Sequence, residues 1–332
     1  MAKDPRAILI ITATRIGDAV LSSGLIKALH DQYPRARFTL VAGPVAAPLF
    51  ADVPNLDRVI AFSKQKDGGH WFALWRAVRG QTWDLVVDGR GSAISYFLAA
   101  KRRVIHRKSG RIAHKVVEAA RLLGLQDHPP TPYLFTSKQT QARARDLIGP
   151  LGVPILAMGP AANWMGKAWP SERFAKVAHA LLGPDGPMPS GRLLILGGPG
   201  DEAASLALRQ VLPPDRWIDL TGKADLLTVY AALKYARLFV GNDSGLMHLA
   251  AAAGAPTLGL FGPSDDRLYG PWGPSGKVLR GPRSLAQIRA IDPDLNQAVC
   301  HMLDLPEEAV VEAAKALYDQ CQSTFFPRDN PP

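Results

Sequence analysis

The chain has 332 residues, 47% of them apolar, which fits a globular protein of two domains or one large one. No apolar run approaches the ~20 residues that span a bilayer, and the polar start Met1-Ala2-Lys3-Asp4-Pro5-Arg6 fits no secretory signal. A net charge of +10 and a pI near 9.7 favour an anionic partner, and the two cysteines, Cys300 and Cys321, read as reduced thiols rather than a disulfide framework. Taken in order, "RAILIITAT" (6–14) predicts a strand, and 18–32 a helix with Leu21, Leu25, Ile26 and Leu29 on one stripe. Strands follow at 37–43, 56–62 and 83–89, with a short helix and turn at 45–54 and a helix at 70–80. The run 101–115 holds seven cations and no acid; a solvated helix face with a loop is the plain reading, and the missing counter-charges favour a functional surface that faces an anion. Gly149, Pro150, Gly152 and Pro154 then punctuate a break at 148–154. Beyond it strands are expected at 154–160, 191–197, 217–222, 237–243 and 256–262, alternating with helices at 171–183, 201–211, 225–236 and 245–253. An amphipathic helix over 306–321 begins at Pro306, and a loose tail over 323–332 ends the chain.

This βαβ rhythm belongs to parallel sheets covered on both faces. Two such units in series are expected, 1–150 and 151–322. Ligands of open α/β sheets bind beyond the carboxyl ends of the strands. Four loops fall there: Gly17-Asp18, "GPAANWMGK" (159–167), "GGPGDE" (197–202) and "GNDSG" (241–245). Together they suggest one cleft between the two domains.

Simple nucleotide motifs fail. "GPAANWMGKA" has six residues between its glycines and Ala168 after Lys167, so it is no P-loop; "GRGSAI" lacks the third glycine of a dinucleotide fingerprint. Nucleic acid is disfavoured, because the basic run has no interleaved aromatics and no finger, RRM-like or zipper pattern is present. "VGNDSGLMHLAAAAGAP" (240–256) is more informative. Ser244 is placed to cap a helix starting at Gly245, whose N–H groups and dipole attract an anion. Gly245 lets a phosphate oxygen approach, and His248 lies one turn on. A plain cap on a buried Ala-rich helix is the competing reading. Asp243, an acid for hydroxyls, and Lys167, a cation for phosphate, favour a nucleotide sugar. Asp18 stands in the first turn of its helix, where it is either a cap or a general base. Gly17 is expected to permit the strand-to-helix turn.

"RIGDAVLSSGLIKALHDQYP", "GKAWPSERFAKVA" and "GNDSGLMHLAAAAGAPTLGLFGPSD", in that order, resemble glycosyltransferase family nine, the heptosyltransferases of lipopolysaccharide core assembly. The resemblance implies a GT-B fold, two Rossmann-like α/β/α domains facing across a central cleft. It implies inverting transfer from ADP-heptose to an anionic core glycolipid with no metal and no cofactor. It implies a cytoplasmic protein, peripheral on the inner membrane. By matching motifs, Asp18 is the general base. Lys167, Asp243, Ser244, Gly245 and His248 contact the donor, and Asn163 stands where relatives carry Thr or Ser near the diphosphate. Thr12 stands where many members have Arg. The loop 64–70 and the basic patch with Arg103, Arg107 and Arg111 lie in the acceptor half. Rival readings are a nucleotide-sugar epimerase of the same fold, a heptosyltransferase acting on an autotransporter protein, and a non-catalytic nucleotide-sugar-binding protein.

Overall fold

The computed structural model describes residues 5–63, 68–107, 110–295 and 298–322. Residues 64–67 of the expected acceptor loop, Lys108 of the basic run and the tail 323–332 lie outside them. The chain divides into two compact units, Met1–Ser137 and Lys138–Pro332.

In the first unit β1 (Ala7–Ile11), β2 (Arg37–Ala42), β3 (Leu56–Ala61), β4 (Trp83–Asp88) and β5 (Ala100–Ile105) form one parallel sheet in the order β3-β2-β1-β4-β5. Between them run α1 (Ile16–Ser22), α2 (Gly24–Gln32) and α3 (Gly69–Val78), and α4 (Lys115–Ala120) follows β5. β1, β2 and β4 are almost wholly buried, as apolar runs in a sheet covered on both faces must be. The strand order reverses between β1 and β4, so a crevice is expected beyond their carboxyl ends. Asp88 closes β4 there. Its buried carboxylate accepts from Arg90 N, Ser92 N, Ser92 Oγ and Ser95 Oγ, which organises the turn that follows.

The expected 18–32 helix is two helices. Ser23 interrupts it, with Oγ donating to Val20 O and accepting from Tyr133 N. A Cβ on Gly24 would sit 2.5 Å from Pro130 O, so only glycine lets the 130–133 segment lie this close. Basic residues 101–103 are not a helix face either. They lie in β5, at the sheet edge, where exposed charges blunt an otherwise sticky strand.

The second unit opens earlier than the Gly/Pro break suggests. Its first helix is α5 (Lys138–Ile148), which packs on α8 of the same unit (Leu226–Leu233), with Arg143 pairing Asp225 at 3.1 Å. The boundary is therefore at 137/138, not 150. Strands β6 (Ile155–Gly159), β7 (Arg192–Ile195), β8 (Trp217–Asp219), β9 (Leu238–Asn242), β10 (Thr257–Phe261) and β11 (Gly276–Arg280) form a parallel sheet ordered β11-β10-β9-β6-β7-β8. Helices α6 (Ser171–Leu182), α7 (Glu202–Arg209), α9 (Gly245–Ala252), α10 (Asp266–Tyr269), α11 (Leu285–Ile291) and α12 (Glu307–Gln322) complete it. The core packs Phe174, Val177 and Leu181 of α6 and Val310, Ala314 and Leu317 of α12 with Leu156, Met158 and Val240 of the sheet. The reversal in this sheet lies between β6 and β9. Cys321 is buried in this core, and both cysteines are free thiols. No described helix is long and apolar enough to cross a membrane.

Candidate functional site

The loops after β6 and β9 meet at the second sheet's switch point, where a ligand crevice is expected. β9 ends at Asn242, which is fully buried. Its amide Nδ2 donates to Pro160 O at 2.7 Å, and its Oδ1 accepts from Trp169 N at 3.1 Å. One side chain thus holds both ends of the 160–169 loop. Trp169 is buried and donates from Nε1 to Leu305 O at 3.1 Å. Inside the loop, the Trp164 ring packs over the turn Met165–Lys167 into the space left by the missing side chain of Gly166. From behind, His301 N donates to Gly166 O at 3.0 Å and Cys300 Sγ to Ala168 O at 3.2 Å. His301 and Asp292 form a buried pair at 3.1 Å. The Arg283 guanidinium, hydrogen-bonded to Asp304, holds that carboxyl below its usual range, and Arg283 also donates to His301 O.

The loop delivers Lys167. Its Nζ lies 3.2 Å from Asp243 Oδ2, with both side chains largely buried at 16% and 9% exposure. Asp243 Oδ1 lies 3.9 Å from His248 Nε2, and His248 is buried. Asp243 N donates to Leu260 O, which fixes the turn after β9. Ser244 is the N-cap residue of α9, as expected, but its side chain caps nothing. Its backbone is extended, at φ −149° and ψ 171°, and Oγ is buried with no hydrogen-bond partner among the described residues. A polar atom left this way costs free energy unless a ligand meets it. Gly245 opens the helix, and the N–H groups of a first helical turn have no partner within it. The structure therefore brings Lys167, Asp243, Ser244, Gly245 and His248 together. Asn163 lies in the same loop and is exposed. The cluster offers donors and positive charge to an anion, and a carboxylate to a hydroxyl.

In the first unit, Asp18 is the third residue of α1 and half-buried. The N-cap is Arg15, whose side chain makes no cap bond, so Asp18 does not hold the cap position. Gly17 already lies within α1, without left-handed backbone, and the turn is built by Thr12–Arg15 instead. Thr12 is tied down, with N donating to Val41 O and Oγ1 3.1 Å from Ser22 Oγ.

A family model described as glycosyltransferase family 9 (heptosyltransferase) matches residues 93–290, more than half of the chain. The chain belongs to glycosyltransferase family 9. This family-9 protein is 25% identical over 312 residues to lipooligosaccharide heptosyltransferase 2 of Haemophilus influenzae, an alignment covering 82% of this chain and 88% of the relative. A glycosyltransferase family 9 protein of Veillonella parvula superposes with a TM-score of 0.76 at 20% identity, covering 96% of this chain and 99% of that one. The E. coli ADP-heptose LPS heptosyltransferase II gives a TM-score of 0.74 at 21% identity, covering 95% and 99%. The two parallel-sheet units are those of a GT-B, Rossmann-like fold.

Arg103, expected in the acceptor-side patch, is exposed and also serves the fold. Its guanidinium donates to Ser95 O, Ala100 O and Leu98 O. It clamps the turn before β5 while its side chain stays exposed. Arg107 and Arg111 are exposed. Sequence reasoning missed Asn242, His301 and Cys300, which shape the Lys167 loop. Asn inside the "VGND" strand end was a usable signal, since a buried amide must find partners; no local pattern marked the other two.

Proposed function

We propose that this family-9 glycosyltransferase moves a heptose from an ADP-sugar to a lipopolysaccharide core-type acceptor, with inversion at the anomeric carbon and without a metal ion. The relatives' names supply the sugar, the nucleotide and the acceptor class. The observation that carries the reading is Ser244 Oγ, buried and unpartnered at the start of α9, one residue from the Lys167–Asp243 pair. A diphosphate oxygen would accept from Ser244 Oγ–H and from the N–H groups that open α9. Lys167 would hold Asp243 and a phosphate oxygen together, and Asn163 would contact the same group.

Catalysis then follows from charge. The bond between the anomeric carbon and the diphosphate oxygen breaks, and negative charge grows on the departing ADP. Lys167 and the helix N-terminus stabilise that charge in a largely dry site, the role a metal ion would otherwise fill. Asp243 and His248 flank it, and Asp243 can accept from a donor-sugar hydroxyl. The acceptor hydroxyl oxygen attacks the opposite face of the carbon, and its proton passes to the Asp18 carboxylate. The first turn of α1 favours the ionised form that this base requires. Arg107 and Arg111 supply positive charge for an anionic glycolipid. Such a lipid acceptor implies work at the cytoplasmic face of the inner membrane.

Titration calorimetry with ADP, UDP and GDP, on the wild type and on Lys167→Ala, tests the donor half. ADP should bind most tightly, should lose at least tenfold in affinity in the variant, and should be indifferent to a chelator. Equal affinity for the three nucleotides, or an ADP affinity that needs a divalent ion, overturns it. Consumption of donor without acceptor, with a changed sugar as product, would favour an epimerase.

A further inference from the structure

The outer face of α3 has an unusual composition. Phe72, Trp75, Arg76 and Arg79 are spaced so that they share one stripe of the helix and its last turn. The opposite stripe is ordinary, with His70, Leu74 and Val78 buried. Phe72 is 62% exposed and stacks on Trp75 with ring centroids 5.8 Å apart. The Arg79 guanidinium lies 4.4 Å from the Trp75 ring centroid. The turn Ala93–Phe97 continues this surface. Trp75 Nε1 donates to Phe97 O at 3.2 Å, and Phe97 and Tyr96 are 73% and 60% exposed. Arg103 clamps that same turn through Ser95 O and Leu98 O, and Asp88 holds its start. The rings are therefore held outward by a rigid frame. A single exposed Phe is unremarkable, but a contiguous aromatic group marks an interaction site.

The sequence around it is rich in cations, although Lys101 is paired with Asp84. The stretch from Gly89 to Val117 has eight Lys or Arg and no acid, and α3 itself has no acid. We infer that this aromatic and cationic face of the first unit docks on an anionic lipid bilayer. Phe72, Phe97 and the edges of Trp75 and Tyr96 would enter the headgroup boundary, where amphipathic rings are favoured. Arg76 and Arg79 would lie at the level of the lipid phosphates, attracted by the surface potential. A second copy fits poorly, because a two-fold contact would set the same cations against each other. The inference rests on the proposed function for the biological source of the lipid, while the docking stands on these side chains.

Flotation of the full chain with phosphatidylcholine vesicles, with and without phosphatidylglycerol, tests it. The wild type should float with the anionic vesicles alone. Phe72→Ser/Phe97→Ser, both at exposed positions, should bind at least tenfold more weakly. Arg76→Ser/Arg79→Ser should lose about fivefold per charge and respond less to salt. Circular dichroism should show both variants folded, and both should transfer sugar to a soluble, deacylated acceptor at the wild-type rate. Wild-type protein that stays with the buffer, or variants that float as well as wild type, overturn the inference. So does a wild-type dimer, seen by sedimentation, that the Phe substitutions dissolve. Vesicle binding with no transfer to the soluble acceptor would instead overturn the glycosyltransfer reading alone.

Discussion

Ser244→Ala should make the ligand-free protein more stable and the donor complex weaker. The hydroxyl is buried without a partner. Burying such a group costs about 1–3 kcal/mol relative to an apolar replacement. Alanine removes the group and leaves only a small void, which offsets part of the gain. A unit of this size shifts its melting temperature by about 2–4 °C per kcal/mol, so a rise of about 2–8 °C is expected. A hydrogen bond to a charged phosphate is worth about 1.5–3 kcal/mol, so ADP affinity should fall about tenfold to a hundredfold. Scanning calorimetry without nucleotide gives the first number, and titration calorimetry gives the second. At saturating ADP the wild type should regain the advantage, because binding adds stability to the tighter binder. A variant that melts below the wild type without ligand, or binds ADP equally well, would refute the reasoning.

Asn242→Ala strands Pro160 O and Trp169 N–H, each worth about 1–3 kcal/mol, so urea unfolding should show a loss of about 2–6 kcal/mol together with weaker ADP binding; unchanged ADP affinity would show that the loop ends do not position Lys167. Arg103→Ser should cost about 1–3 kcal/mol through the released carbonyls, whereas a pure effect on acceptor KM at full stability would show that the clamp adds nothing to the fold. The Lys101 ammonium, with the Arg6 and Ala7 N–H groups, holds the Asp84 carboxyl below its usual value. A depressed carboxylate pKa stabilises the fold above the unfolded value of about 3.9, and this stability is lost as pH falls through the folded value. Asp84→Asn should therefore be less stable than wild type near neutrality and converge with it in acid unfolding below about pH 4, and a gap independent of pH would contradict the assignment.

The central strands were legible because both faces of a parallel sheet are covered. β1, β2, β4, β6, β9 and β10 each appear as an apolar run bounded by turn residues. Of the four edge strands, β3 and β8 were legible, and β5 and β11 were not. β5 reads Ala-Lys-Arg-Arg-Val-Ile and β11 reads Gly-Lys-Val-Leu-Arg, so charge suited to a sheet edge masked the extended structure. The split between α1 and α2 depends on Pro130 and Tyr133, which no window around Ser23 contains. In the site, the helix start at Gly245 and the grouping with Lys167 were visible from strand ends and residue types. The failure of Ser244 to cap was not, because capping preferences are local and its side chain is placed by tertiary packing. The Asn242 ties are invisible for the same reason, since both partners lie far away along the chain.

The central claim is that Asp18 drives sugar transfer from an ADP-heptose held by the Lys167–Ser244 cluster. Its most direct test is a transfer assay with ADP-heptose and a phosphorylated core-lipid acceptor, comparing wild type with Asp18→Asn. Products are followed by mass spectrometry and the new anomeric centre by NMR. The account predicts one heptose added by the wild type with inverted configuration, at least a hundredfold loss of turnover in Asp18→Asn, and unchanged ADP affinity in that variant. Turnover within a few fold of wild type, or a product of retained configuration, would contradict it.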